Sequence, residues 1–403
     1  MLYRRYFLNL FTKLSALALT SAPLAESEFL VGEQFQDTAI EYGIQINKPG
    51  APLNYSYSNS PIALKDLSIE RQWSEMNSDA QDFEKSVVRI NNETDPDLTR
   101  TIADKILQDA QFDLQYFKAL LGYHEIIPAS YSNFRVNQSG DYDYVSVNGR
   151  YGQTLKAVCL RKMPSENRAF LLLLPGRATT AKATMGLSEK ADYSNAIGQH
   201  FSNKLDISVC ALGNFPHTDV PILRLGLSGR GVAIASVIDF LTAIKTEAPQ
   251  EAQNIILGGI SNGGHMAEYT AVISDLVDAV LSSGAAARYD FSNSPYSFYR
   301  NSVSNYPNFD YNYATFDAVF RSGRIFNLIH PKPLIVSIGT HDAGHEVNGY
   351  PSKLEQIKLA LETYKDSRCL EVNLFVGGHA HDHYGETRAL SRLLAECFSQ
   401  PRL

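Results

Sequence analysis

The chain has 403 residues, enough for one large domain plus an appended segment. Hydrophobic residues make up 44% and charged residues 20%, the balance of a globular protein with a full core. The formal net charge is -7, and no Lys/Arg run stands out in the body of the chain, which argues against a nucleic-acid partner.

The leader "MLYRRYFLNLFTKLSALALTSAPLAESEF" places Arg4, Arg5 and Lys13 ahead of an apolar run from Leu14. That run ends in small residues around Ala22 and Ala25. Basic n-region, short h-region and small-residue end are the layout of a signal peptide over residues 1–25. The run is short for a bilayer span, and no later segment looks transmembrane, so the mature chain is expected to lack an integral membrane segment. Export to the periplasm or the medium is expected, with an uncleaved anchor as the alternative. Four cysteines suit an oxidising compartment that preserves two disulfides; free buried thiols are the other reading. Cys369 and Cys397 bracket the C-terminal region, whereas Cys159 and Cys210 fall in two apolar, strand-like runs.

Residues 26–135 are polar and mixed. "DLSIERQWSEMNSDAQDFEKSVVRI" and "LTRTIADKILQDAQFDLQYFKALLGY" carry apolar residues at three- and four-residue spacing, which predicts a mainly helical segment with Asp97 as an N-cap. From residue 136 the texture changes. "YDYVSVNG" and "TLKAVCLRKM" predict two strands joined by a hairpin at "GRYGQ". "AFLLLLPG" predicts a strand buried on both faces, "DISVCALG" another strand, and "GVAIASVIDFLTAIKTEAP" a helix closed by Pro249. "NIILGGIS", "DAVLSSGAA", "PLIVSIGT" and "EVNLFVGG" predict further strands, separated by helices at "MAEYTAVISDL" and "KLEQIKLALETYKD". A last helix is expected at "ETRALSRLLAECF". Alternating strands and helices imply an α/β domain over 136–403, with a mostly parallel sheet flanked by helices.

Gly259-Ile260-Ser261-Asn262-Gly263 is a G-x-S-x-G between a buried strand and a helix. In that setting the glycines permit a sharp strand-to-helix turn that exposes the serine hydroxyl at a helix N-terminus, and Gly264 and Ala267 allow close helix–sheet packing. A serine needs a base, itself oriented by an acid. "SIGTHDAGHEV" supplies Asp342 after a later strand, with His341, His345 and Glu346 as neighbours and Glu346 as the second candidate acid. The base should follow the next strand, where "FVGGHAHDHYGE" places His379, His381 and His383. The order Ser, Asp, His fits this arrangement.

With "GGISNGG", "SIGTHD" and "FVGGHAH" each ending a predicted strand, residues 140–400 resemble the α/β-hydrolase superfamily. "GISNGG", "GTHD" and "GGHA" are most similar to its extracellular esterase and polyhydroxyalkanoate-depolymerase-like branch. The resemblance implies an oxyanion hole built from the backbone N–H of Asn262 and of Arg177, in the loop after "LLLLPG". It implies a strand order that sets "TLKAVCLRKM" beside "DISVCALG", where Cys159 and Cys210 come within bridging range. It also implies a lid in the insertion 288–330, whose Tyr296, Phe298, Tyr299, Tyr311 and Tyr313 would line a substrate pocket or form a small cap core.

"HAHDH" is one residue short of the H-x-H-x-D-H metal signature of metallo-β-lactamase-like hydrolases, and it follows the last strand. No catalytic metal or other cofactor is expected, with a structural ion on the three histidines as the alternative. His379 directly follows Gly377-Gly378 and is the expected base, with His381 as the alternative. The implied activity is hydrolysis of a small-molecule or polymeric carboxylic ester through an acyl-enzyme. A serine peptidase or acyltransferase on the same residues is a second reading, and a non-catalytic binding protein a third. The sequence leaves the oligomeric state open.

Overall fold

A computed structural model describes residues 46–47, 114, 117–118, 123, 128–162, 169–176, 179–188, 192–213, 229–285, 324–340, 342, 353–365, 367 and 369–398. All of them belong to the compact unit Gln45–Leu403. In chain order they form β1 (Ile46–Asn47), β2 (Tyr131–Ser139), β3 (Tyr142–Gly149), β4 (Thr154–Leu160), β5 (Ala169–Leu174), α1 (Ala181–Thr184), α2 (Ile197–Leu205) and β6 (Ser208–Leu212). There follow α3 (Gly229–Glu247), β7 (Asn254–Ile260), α4 (Asn262–Ile273), β8 (Ala279–Ser283), α5 (Arg324–Ile329), β9 (Leu334–Gly339), α6 (Lys353–Thr363), β10 (Leu370–Phe375) and α7 (His383–Leu393). A π turn over Leu394–Phe398 continues α7.

The strands make one ten-stranded sheet in the order β1-β10-β9-β8-β7-β5-β6-β4-β3-β2. Pairing is parallel from β1 to β6 and antiparallel from β6 through β4 and β3 to β2. Burial differs between the two parts of the sheet. β5, β6, β8 and β9 are buried at every residue, as parallel strands covered on both faces must be. β3 instead alternates half-buried and buried positions along its second half, the pattern of an antiparallel strand with one wetter face. Leu171 and Leu173 of β5 share a core cluster with Ile197, Phe201 and Leu205 of α2 and with Ala389, Leu390 and Leu393 of α7. Against other parts of the sheet, α4 packs on β7 and β8 and contacts α3.

The expected hairpin forms with its turn at residues 150–153. Its corner is fixed by a buried ion pair: Arg150 donates from its backbone N–H (2.8 Å) and from Nε (2.9 Å) to Asp239 of α3. Ser130 N–H adds a bond of 3.1 Å to the same carboxylate. Next along the sheet, β4 and β6 are neighbours with Cys159 opposite Cys210, and the two are joined by a disulfide. Cys369, just before β10, and Cys397, in the π turn, bring their sulfurs to 3.3 Å as thiols. Burial and the bond to Cys369 push the Cys397 thiol up to about 12.

Some boundaries differ from those expected. β2 crosses residue 135, so the sheet begins inside the segment expected to be helical, and β1 joins the sheet at the β10 edge from the same segment. Within that segment Leu114, Phe117 and Lys118 are helical. The last helix starts at His383, three residues before the expected Glu386, because Asp382 caps it by accepting from Tyr384 N–H (3.3 Å) and Gly385 N–H (3.1 Å). The leader 1–25 and all but the α5 end of the insertion 288–330 lie outside the described residues. Among the described residues, no helix is long and apolar enough to cross a membrane.

Removing one partner of a buried ion pair strands the other charge. Asp239→Ala is therefore expected to lower the unfolding free energy by about 3–5 kcal/mol in a urea titration. Equilibration with oxidised glutathione should convert Cys369 and Cys397 to a second disulfide, read as loss of two alkylatable thiols in the intact mass.

Candidate active site

Ser261 is the single residue between β7 and α4. Its backbone lies at φ 57°, ψ -121°, a conformation that costs a non-glycine residue on the order of 1–3 kcal/mol. Its neighbours hold it there. Ser261 N–H donates to Ser283 O at the end of β8 (2.8 Å), and Ser261 O accepts from His265 N–H (3.1 Å). A serine ahead of a helix ordinarily caps it through the hydroxyl, but Ser261 Oγ makes no capping bond to α4. The flanking glycines are sterically required. A Cβ on Gly263 would overlap Leu174 O at the end of β5, and one on Gly259 would overlap the carbonyl of Gly263. A Cβ on Gly264 would sit 2.5 Å from Ala285 Cβ.

The loops after β9 and β10 are pressed together. A Cβ on Gly339 would run into the carbonyls of Gly377 and Gly378. Thr340 N–H donates to Phe375 O (2.8 Å) and Asp342 N–H to Gly339 O (3.1 Å). This contact delivers Asp342 to His379, whose Nδ1 is 2.8 Å from Asp342 Oδ2. The carboxylate side chain is 4% exposed and the imidazole 30%, so the acid is shielded while the histidine keeps an open side. Gly284, at φ +57°, sits under the pair: a Cβ there would lie 3.0 Å from His379 Nδ1 and 3.4 Å from Asp342 Oδ2. Gly284 follows Ser283, the residue that holds Ser261. The Ser261 turn and the His379–Asp342 pair therefore share the end of β8.

The other two histidines go elsewhere. His381, the alternative base, is buried, and its Nδ1 lies 2.8 Å from Glu386 Oε2. His383 opens α7, with Nε2 2.5 Å from Asn195 O and its ring stacked on His200 at 4.3 Å. Among the described residues, no three His, Cys, Asp or Glu side chains are grouped as metal ligands. Asn262 is the first residue of α4, so its N–H belongs to the open first turn. Arg177, Glu346, His341, His345, Tyr296, Phe298, Tyr299, Tyr311 and Tyr313 lie outside the described residues.

Two residues at the site carried no signal that the motifs expose. Glu386 is fully buried on α7 and also accepts from Ser283 Oγ (2.7 Å) and Asp382 N–H (3.3 Å). Burial alone would raise its carboxyl. His381 beside it, with hydrogen bonds from His381, Ser283 and Ser337, outweighs that effect and holds it below the usual glutamate value. A glutamate at one end of the stripe Glu386, Ala389, Leu390, Leu393 is the sequence signal for it: a charge at core spacing on an amphipathic helix. Tyr193 is buried with Ile260 and Ala380, and its ring centroid is 5.4 Å from that of His379. Nothing in the local sequence marks it.

A mostly parallel sheet in this order, turning into a helix through a strained serine after a central strand, decides the architecture. The fold is an α/β-hydrolase fold. No family model matches the chain, and no curated protein sequence matches it. Solved structures similar to it include a glucuronoyl esterase from Solibacter usitatus, at 12% identity over 73% of this chain and 93% of that one, with a TM-score of 0.49. An esterase from Pyrococcus furiosus is similar at 14% identity over 68% of this chain and 100% of that one, with a TM-score of 0.46. A cold-adapted esterase from an Arctic intertidal metagenomic library shares 14% identity over 66% of this chain and 98% of that one, with a TM-score of 0.41.

The Glu386 carboxyl is held below its ordinary 4.5, so it contributes stability above its unfolded pKa that is lost as pH falls through the folded one. Glu386→Gln should accordingly be less stable than wild type near neutral pH. Denaturant melts in an acid series should show the gap starting to narrow below about pH 4.5, where the unfolded chain's carboxyl takes up its proton, and closing as the folded one follows at lower pH.

Proposed function

We propose that the chain is a secreted or periplasmic serine hydrolase that cleaves a carboxylic ester through Ser261, His379 and Asp342. The observation that carries this reading is the 2.8 Å His379–Asp342 pair, half-open on the histidine side, built on the strand end that also holds the Ser261 turn. With Nδ1 turned to Asp342, Nε2 is the nitrogen that exchanges protons with Ser261 Oγ. The serine attacks the ester carbonyl as His379 takes its proton, and Asp342 stabilises the imidazolium. His379 then protonates the leaving alcohol, and water repeats the sequence on the acyl-enzyme. The backbone N–H of Asn262, at the start of α4, is directed at the oxyanion, with Arg177 N–H as its proposed partner.

Ester over peptide substrate follows from the resemblance of "GISNGG", "GTHD" and "GGHA" to the extracellular esterase branch. Export is supported by the basic and apolar leader and by the Cys159–Cys210 bridge, a bond that persists in oxidising compartments.

Purified protein is expected to hydrolyse p-nitrophenyl acetate and to react with a fluorophosphonate probe. Ser261→Ala should abolish labelling and lower kcat by about 1,000-fold or more. Labelling of that variant at the wild-type rate would remove Ser261 as nucleophile. His379→Ala should lose activity to a similar extent; a folded His381→Gln variant that loses more than His379→Ala would move the base to His381.

A further inference from the structure

We propose that the turn Asp192–Ala196, buried over its first three residues, is a clasp between the loop after β5 and the histidine loop, and that Tyr193 is the positioning residue it presents. The inference rests on the serine-hydrolase reading above and adds a residue to it. On one side the turn is tied to the β5 loop. Thr179 donates from its hydroxyl to Asp192 Oδ2 and lies 2.6 Å from Ser194 Oγ, while Thr179 N–H closes back on Gly176 O at 3.3 Å. On the other side it meets "GGHAHDH" three times. The Tyr193 ring faces the His379 ring at 5.4 Å, Tyr193 O accepts from His381 N–H (3.2 Å), and Asn195 O meets His383 Nε2 (2.5 Å).

The turn is made for this position rather than a slack connection. Asp192 Oδ1 accepts from Ser194 N–H (2.8 Å), and Asn195 N–H closes on Asp192 O (3.0 Å). Asn195 and Ala196 then follow one another in the left-handed region at φ 55° and 51°. Two consecutive non-glycine residues persist there only where the surroundings over-determine them, and such places concentrate at functional sites. The tyrosine delivered by this turn lies beside His379 and beside chain neighbours of the other proposed residues. It packs with Ile260, the residue before Ser261, and with Ala380, the residue after His379. Gly176 lies so close to its hydroxyl end that any Cβ at residue 176 would collide with the phenol.

Acyl transfer requires the histidine, the serine and the oxyanion donors to hold one geometry while a proton moves. A displacement of about 1 Å costs on the order of 100-fold in rate. The Tyr193 ring fills the space between His379, Ile260 and Gly176, so it sets that geometry without touching the ester.

The test compares Tyr193→Phe, Tyr193→Leu and Ser261→Ala in the full chain, with p-nitrophenyl acetate as substrate and a melting curve for each variant. Tyr193→Leu is expected to lose about 10–100-fold in kcat with KM within about threefold of wild type, whereas Tyr193→Phe, which keeps the ring, stays within about threefold in both. A wild-type kcat in Tyr193→Leu, with Ser261→Ala inactive, overturns the clasp and leaves the serine-hydrolase reading standing. Equal losses in the Phe and Leu variants overturn the assignment to the ring. Full activity in Ser261→Ala overturns the reading beneath both. Should Tyr193→Leu fail to fold, Thr179→Val loosens the turn without touching the ring; it should show the same kcat-selective loss, and wild-type kcat there overturns the proposal.

Discussion

The carboxylate of Glu386 is the point on which the site end of the sheet converges. It is completely buried, and a lone charge in that position would cost several kcal/mol in lost hydration. What makes the position tenable is the number of donors around it. His381 from the loop after β10, Ser283 from the end of β8, Ser337 from β9 and the N–H of Asp382 all face the same two oxygens. One side chain on α7 thereby ties the tips of two strands to the loop that carries His379. A buried acid this fully satisfied adds little net stability compared with apolar packing; its effect is to permit only one arrangement of these tips.

From that arrangement the strain at Ser261 can be sustained. The serine turn sits in a disfavoured backbone region, and the bond that fixes it runs to Ser283 O, the carbonyl of the same residue whose hydroxyl binds Glu386. Close approach does the rest. Gly263 lies against the β5 carbonyl of Leu174 and Gly264 against Ala285, so α4 enters at a distance that no larger residue permits. Gly284 plays the same part for the histidine, giving His379 and Asp342 a flat floor where a side chain would push them off. Backbone strain, missing side chains and a buried charge thus act on one strand end. This explains why the Ser261 turn and the His379–Asp342 pair, far apart in sequence, share it.

Much of this was legible in the sequence, and the reason is physical. Strands buried on both faces leave unbroken apolar runs such as "AFLLLL" and "NIILGGI", and both stand as β5 and β7. Cys159 and Cys210 face each other because the strand order implied by the resemblance holds. The Asp342–His379 contact followed from the places of both residues after adjacent strands. The remainder depends on contacts without local periodicity. Two residues of β1 cannot announce a strand. Tyr193 is one of 22 tyrosines, and its place beside His379 comes from a turn held by residues 13 or more positions away in sequence or in another loop. Glu386 was visible only as a charge at core spacing, a pattern that becomes informative once the start of α7 is known.

The start of α7 also explains why "GGHAHDH" suggests a metal site when taken alone. Histidines at i, i+2 and i+4 share one face if the chain is extended, and three imidazoles on one face are what a metal needs. The backbone here does not stay extended. Asp382 caps a helix that begins at His383, and the change of period sends the rings apart. His379 goes to Asp342, His381 goes inward to Glu386, and His383 goes across to Asn195 and His200. Burial and the neighbouring His383 push the His200 imidazole down, which favours its neutral form and lets the two rings stack without like-charge repulsion. The density of histidine in this stretch therefore reflects three separate anchoring tasks carried out by seven residues: one at Asp342, one at the buried acid Glu386, and one at the turn that carries Tyr193.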